Sequence, residues 1–439
     1  MISNTLNLYF DEKGPTKTIG QNKSDNYQFN WEGRSSDNVS VYLGVYVGID
    51  QEVNEDIDRN YTKFELSIKN KYQHYKQITE LKGKYLLGKG YSAFPKLPVR
   101  TLNIISDFLD FVSENNLYIH VVLPHKAQVL VQSRLQEWLY WIENRYTDTS
   151  IEQIFYVIVK YLVNEDVDHK FIKVLTDKEA KTQKILSILK NCFEEFNRKN
   201  KKVKNRYPQV EAYEQIITIL KKYPAPYSMY EYNGFHYTFE QLTYGLELDL
   251  PTSTDERLDT HYYLYPDEDS PIEEFKKVSF LKVMEPVKSE NTVGIRIADI
   301  TATIIAKILV KLRMDLNRDT KNYDTIKELP MDWFDFSDFS LDIIKKIKKI
   351  IFTRQYQVMH GIYGDDALIL ESYIEFIAKF NNAQEIKGQK NTIQSSFRQY
   401  YLELMNANYE EMIRAKYLRK QLGLHSARQA HDSGLMKRW

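Results

Sequence analysis

Apolar and polar residues alternate from Leu6 through Asn7, Leu8, Tyr9 and Phe10, and the alternation stops at Asp11, Glu12 and Lys13, followed by Gly14-Pro15. A period of two is that of a half-buried strand, so a first strand ending in two adjacent acids is predicted. Val- and Tyr-rich SVYLGVYVGI (Ser40–Ile49) reads as a second strand, and TKFELSI (Thr62–Ile68), apolar at alternate positions, as a third. Between the first two, residues 13–38 are poor in apolar side chains and read as a long loop around a short strand at YQFNW (27–31). Leu102, Ile105, Leu109 and Val112 have helical spacing over about 99–114, and the continuous apolar run LYIHVVLP (Leu117–Pro124) suits an interior strand of an α/β sheet.

From about 128 to 222 the pattern is helical. A strand signal returns at THYYLYP (Thr260–Pro266), and a helix beginning near Gly294 carries the most apolar stretch, Ile295–Leu312. Beyond it the chain is charged and helical, as in Leu341–Arg354 and the Tyr-rich Thr392–Lys420. Early strands, a helical excursion, a returning strand and a closing helix predict one discontinuous α/β domain with helical additions. The core would comprise 1–127 and 230–315, with a helical insertion over 128–229 and a helical C-terminal region over 316–439. No internal repeat at a fixed period is evident.

Composition narrows the functional classes. Sixty basic and sixty acidic residues in 439 give zero formal charge, so nucleic-acid contact would need a local basic patch rather than a global field. A single cysteine, Cys192, excludes an intramolecular disulfide and a thiolate metal cluster, which fits a reducing cytoplasm. The opening MISNTLNLYFDEK has no basic segment followed by an apolar one, so no secretory signal is read. The apolar stretch after Gly294 contains Arg296, Asp299, Lys307 and Lys311; a charge at a bilayer centre costs roughly 2.5 kcal/mol or more, which favours a buried helix over a membrane span. A cytoplasmic protein with no membrane partner is expected.

Carboxylates recur at strand ends and on the apolar helix: Asp11 and Glu12; Glu80, with Lys82, in ITELKGKY; Asp267, Glu268 and Asp269 after YYLYP; and Asp299 in GIRIADITATIIAK. A lone acid at a strand end is an ordinary turn residue, so the combination carries the argument. Asp299 falls about one turn into its helix beside a stripe of small residues, Ala298, Ala302 and Ala306, that would let the helix approach a sheet closely. Burying an ionised carboxylate there is costly unless it is paired or binds metal. An ion pair with Arg296 at i−3, or exposure on the polar edge, is the competing reading.

The opening YFDEKG, the central ELKGKY and the late VKSENTVGIRIADITA resemble, in order and wide spacing, the bacterial family called domain of unknown function 3800. That family opens on Asp-Glu-Ser-Gly and closes on Ser-Lys…Gln-Leu-Ala-Asp-Leu-Ile-Ala. The resemblance covers roughly residues 5–125 and 230–312. Here Lys13 stands where the family usually has Ser, Lys288-Ser289 reverses Ser-Lys, and Arg296 replaces Gln; no carboxylate is lost. The resemblance implies an RNase H-like fold, a mixed sheet flanked by helices. It further implies a metal-dependent nuclease with a two-metal mechanism. Asp11 would be the central ligand, Asp267 or Asp269 the strand-end ligand, and Asp299 the helix ligand. Glu12 would be a further ligand or point away, and Glu80 would join the catalytic set. Lys82 would contact a phosphate, with Lys288 and Ser289 nearby. Mg²⁺ or Mn²⁺ suits such a set of hard oxygen ligands. The family's usual company suggests a phage-defence or mobile-element setting.

NRKNKKVKNR (Asn197–Arg206) carries six cations and no acid, so Lys201, Lys202 and Lys204 are candidate contacts to DNA or RNA, with Tyr207 and Tyr213 as stacking surfaces. A solvated charged face is the alternative. His120, His125, His236 and His261 lack the paired spacing of a zinc site and read as structural. No Walker loop, dinucleotide fingerprint or Gly-x-Ser-x-Gly elbow is present. The competing functional class is a non-catalytic scaffold or nucleic-acid-binding protein of the same fold. In either class the C-terminal helices would offer a surface for a homo-oligomer or a partner protein.

Overall fold

The computed structural model describes residues 5–13, 41–87, 92–143, 145, 150–166, 168–232, 234–250, 260–316 and 328–422. The six strands among them form one mixed sheet: β1 (Thr5–Lys13), β2 (Leu43–Asp50), β3 (Tyr118–Val122), β4 (His261–Pro266), β5 (Lys282–Val283) and β6 (Val358–Met359). Their order is β5-β4-β1-β2-β3-β6. β1, β2 and β3 form an antiparallel meander, while β4 runs parallel to β1, β5 to β4 and β6 to β3. The long helices are α1 (Asn54–Lys71), α2 (Val99–Glu114), α3 (Lys126–Glu143), α4 (Ile151–Asn164), α5 (Thr182–Asn200), α6 (Tyr207–Lys222), α7 (Val293–Leu316), α8 (Asp338–Ile351), α9 (Asp365–Ala378) and α10 (Ile393–Leu422). The chain is thus α/β with helices around a mixed sheet. None of the described helices is long and apolar enough to cross a membrane.

Side-chain alternation sorts the strands between two cores. Tyr9, Leu43, Val45, Val47, Ile119 and Val121 face a core shared with α1, α2, α7, α8 and α9. Leu6, Leu8, Phe10, Tyr46, Tyr118 and Val122 face the opposite core, closed by short segments bearing Tyr237, Leu242, Leu246 and Phe275. A third core lies among α3, α4, α5 and α6, around Trp138, Phe155, Phe193 and Tyr213.

Helix α7 is deeply embedded, with Ala298, Ala302 and Ala306 all at 1% exposure or less. It starts against the first strand: a Cβ at Gly294 would lie 2.2 Å from the Tyr9 ring, so only glycine permits this approach.

Several local expectations are corrected. Thr62–Ile68 is helical, within α1. Phe64 and Ile68 are buried with Ile57 and Tyr61 at helical spacing, whereas Leu66 is 53% exposed. An alternation over seven residues also satisfies part of a 3.6 period, and the longer window decides. The short strand expected at 27–31 lies outside the described residues. The C-terminal region is not wholly helical, since β6 adds an edge strand to the sheet. Trp333, Phe334, Ile343, Tyr373 and Phe397 of this region belong to the core beneath α7.

Candidate functional site

Strand direction brings the acids together. β1 and β4 are parallel and their register ends with Phe10 opposite Pro266, so Asp11, where β1 continues against β2 alone, and Asp267, just past β4, come next to each other at the carboxyl end of the pair. The Asp267 N–H donates to the Phe10 carbonyl at 3.0 Å, which continues the ladder one step past β4. Ligands of open α/β sheets bind beyond the carboxyl ends of parallel strands.

Alternation divides the β1 acids. Asp11 and Lys13 share the face of Tyr9, toward α7, whereas Glu12 shares the face of Phe10 and accepts a 2.9 Å hydrogen bond from the Ser270 hydroxyl. Of the two alternatives for Glu12, it takes the one pointing away.

Asp299 is held on two sides. Its Oδ2 accepts the Gly83 backbone N–H at 2.6 Å, and its Oδ1 accepts the Lys13 ammonium. The Asp299–Lys13 pair has side-chain exposures of 9% and 26%. Arg296 pairs instead with Glu65 at 3.1 Å and lies over the Tyr61 ring. Glu65 also accepts the Leu81 N–H at 2.8 Å. Together, Glu65 and Asp299 clamp the segment that contains Glu80, Lys82 and Gly83.

That segment runs along one stripe of α7. Beyond the Asp299–Gly83 contact, a Cβ on Gly83 would lie 2.3 Å from Thr303 Oγ1, and Lys307 donates to the Leu87 carbonyl at 3.1 Å. Glu80 is buried at 8% exposure; its Oε2 is 3.5 Å from Lys82 Nζ and its Oε1 has no hydrogen-bond partner.

Electrostatics reflects the crowding. Burial, followed by the charge of Asp299, pushes the Asp11 carboxyl well above the usual carboxylate range, with Lys13 opposing and Glu12 and Asp267 adding to the rise. Burial is also the largest cause for Glu12, pushed up to about 7 against the Ser270 hydrogen bond. Asp267 is raised by burial as well, while the Glu268 N–H and Lys82 oppose.

The remaining sequence candidates lie at the rim or elsewhere. Asp269 is exposed in the turn after Asp267. Lys288 is exposed and pairs with Glu268 at 3.4 Å, with Ser289 beginning a short 3-10 turn before α7. Lys201, Lys202 and Lys204 are exposed beyond the end of α5, in the unit built around the third core. Tyr213 is no stacking platform: it is buried, its ring 4.4 Å from that of Phe193. Arg206 is wholly buried against Glu165 at 2.7 Å, so it is removed from the cationic run.

Sequence reasoning missed Gly83, Glu65 and the position of Lys13. The period-2 pattern places Lys13 on the Asp11 face, which was the available signal. Among the described residues no three His, Cys, Asp or Glu side chains form a group that could hold a metal ion. Lys13 and Gly83 take both Asp299 oxygens, and the Glu12 N–H takes Asp11 Oδ1 at 2.7 Å. By chemistry alone, the carboxylates of Asp11, Asp267, Asp299 and Glu80 are hard, anionic oxygen donors. That set suits Mg²⁺ or Mn²⁺ and lacks the nitrogen and sulfur donors of a zinc site.

No family model matches the chain, and comparisons with curated proteins and with solved structures found no match.

Proposed function

We propose that the protein is a metal-dependent nuclease of RNase H-like fold, cleaving phosphodiester bonds of nucleic acid at the carboxyl edge of its sheet. The observation that carries this reading is the convergence of Asp11, Asp267 and Asp299, from two parallel strands and a buried helix, on one edge. A mixed sheet with the first strand at its centre supports it, as does the resemblance of YFDEKG and GIRIADITA to the domain of unknown function 3800 family.

Asp11, Asp267 and Asp299 would hold the metal, and Glu80 would stand beside it. The chemistry such an ion would supply when held there is a more acidic water and a polarised phosphoryl oxygen. The chain's own residues do the rest. Gly83 and Thr303 fix the Asp299 carboxylate and backbone, the Glu65–Arg296 pair fixes the segment that carries Glu80, and Lys82 offers a cation to a substrate phosphate beside Asp267.

The Lys13–Asp299 pair favours a second reading, a nucleic-acid-binding scaffold in which the acids are structural. End-labelled single- and double-stranded DNA, RNA and RNA–DNA hybrid, incubated with Mg²⁺, Mn²⁺ or EDTA, distinguish the two. Cleavage that needs metal and is lost in Asp299→Asn supports the nuclease and names its substrate. Binding without cleavage under every condition supports the scaffold.

A further inference from the structure

We propose that Tyr223–Tyr232, with Lys178, Lys181 and Lys222 beside it, is a docking strip for single-stranded nucleic acid, its tyrosines stacking bases and its lysines holding phosphates. The strip shares only the nucleic-acid partner with the reading given above and needs no metal.

The segment YPAPYSMYEY (Tyr223–Tyr232) follows α6 and is neither helix nor strand. It is fixed along α3, where Trp138 Nε1 donates to the Tyr223 carbonyl at 3.2 Å and Glu231 accepts the Glu137 N–H at 2.8 Å. Ala225 and Met229 are buried, whereas Tyr227 is 74% exposed and Tyr230 47%. The wholly buried Arg134 ties the segment to the turn before α5. Its guanidinium donates to the Leu175, Asp177 and Ala180 carbonyls and lies 5.9 and 5.5 Å from the ring centres of Tyr230 and Tyr232. The Tyr230 hydroxyl donates to the Lys178 carbonyl at 2.6 Å. Side chains held in this way lose little freedom when a partner binds.

The charge pattern points to the partner. Three ammoniums lie over rings of this one segment: Lys181 is 4.0 Å from the centre of Tyr227, Lys222 5.2 Å from Tyr223 and Lys178 5.7 Å from Tyr232. Among the described residues none of these three lysines is in an ion pair, whereas the neighbouring Lys184 and Lys221 pair with Asp177 and Glu194. Glu179 is the one exposed acid within 176–184 and 221–232. Lys181 covers one face of the Tyr227 ring, and the exposure of that ring leaves the other face open. Cations alternating with open rings complement a chain of alternating phosphates and bases. An acidic peptide would use the cations alone, and an apolar partner would desolvate them without pairing.

The test is fluorescence anisotropy of labelled single strands of about 15 nucleotides, within the site sizes of known single-strand binders. It uses the full chain in EDTA, as wild type, Tyr227→Ala, Tyr227→Phe, Lys181→Ala and Tyr207→Ala. Tyr207 is the control, an exposed tyrosine beside the Lys201–Lys204 run. All three positions are on the surface, where substitutions leave stability nearly unchanged. Wild type should bind the single strand more tightly than the duplex. Tyr227→Ala should weaken binding about 5- to 150-fold, the worth of one stacked base, and Tyr227→Phe should retain it. Lys181→Ala should bind more weakly with a shallower salt dependence, and Tyr207→Ala like wild type. No binding by wild type, equal binding by Tyr227→Ala, or equal affinity for duplex would overturn the proposal. Displacement by polyglutamate as effective as by unlabelled single strand would overturn it in favour of an acidic protein partner. Any of these beside Mn²⁺-dependent cleavage leaves the nuclease reading standing. The expected binding without cleavage under any condition removes that reading and keeps the strip.

Discussion

Asp299 and Gly83 are 216 residues apart and are joined by a 2.6 Å hydrogen bond from the Gly83 backbone N–H to Asp299 Oδ2. A charge-assisted bond of this kind does two things at once: it stabilises a buried carboxylate and fixes where its other oxygen points. Gly83→Ala puts a methyl group 2.3 Å from Thr303 Oγ1 and 3.1 Å from the Asp299 carbonyl. Overpacking of this order costs about 1–3 kcal/mol. Urea unfolding should show that loss, and Thr303→Ala in the same background should recover part of it.

Glu12 makes the protein's stability depend on pH. Its carboxyl is raised from 4.5 to about 7, so between those values the native state holds more protons than the unfolded chain. Stability from this group therefore falls as pH rises from about 4.5 to about 7 and is lowest above it. In EDTA, Glu12→Gln should melt higher than wild type at pH 8, by on the order of 1–3 kcal/mol. At pH 4.5 the gap should close. An equal gap at both pH values would exclude the carboxylate as the cause.

Lys126 has the opposite sign. Its Nζ is buried without a partner, and burial followed by Arg313 lowers its pKa from 10.5 to about 7. The native state holds fewer protons than the unfolded state across that interval, so stability rises with pH from about 7 to 10.5 and the penalty is full below 7. Lys126→Met should raise stability at pH 7 by about 1–3 kcal/mol and flatten the rise from pH 7 to 9. Denaturant midpoints across that range measure both; a lower midpoint for Lys126→Met would show that the amine is needed.

Asp249 anchors the far side of the sheet. It accepts from Tyr118 at 2.8 Å and from Arg354 Nε at 2.8 Å, and lies 3.1 Å from His120 Nδ1. Burial raises its carboxyl, but hydrogen bonds to His120 and Arg354 outweigh this and hold it below 3.8. Its contribution is present above that value and lost as pH falls through the lowered pKa. Removing one partner from a buried charged pair costs about 3–5 kcal/mol. Asp249→Ala should therefore lose that much in urea unfolding at pH 7. A loss under 1 kcal/mol would show that the network contributes little.

Much of the core was legible in the sequence because its elements are periodic or continuously apolar: β1 alternates, α2 has helical spacing, and β2, β3, β4 and α7 are apolar runs. What escaped was short or non-local. β5 and β6 are two residues each, too brief for a pattern, and are strands only because β4 and β3 offer free edges. The 62–68 segment offered two periods at once, and burial of Tyr61 and Phe64 against Phe111 selects the helix. At the site, the relevant acids could be named but not their pairings. Nothing near Asp299 in sequence indicates that its cation comes from Lys13, because that pairing depends on how closely α7 lies on β1.

We propose that Asp11 and its neighbours hold a metal for phosphodiester cleavage. The most direct measurement is the rate of Mn²⁺-dependent cleavage by Asp11→Asn relative to wild type, at equal folded concentration and on the substrate cut best. A loss of at least about 100-fold is expected, the scale on which removing one stabilising group from an active site acts, with the fold intact by circular dichroism. Equal rates in the two proteins, or cutting that persists in EDTA, would contradict it.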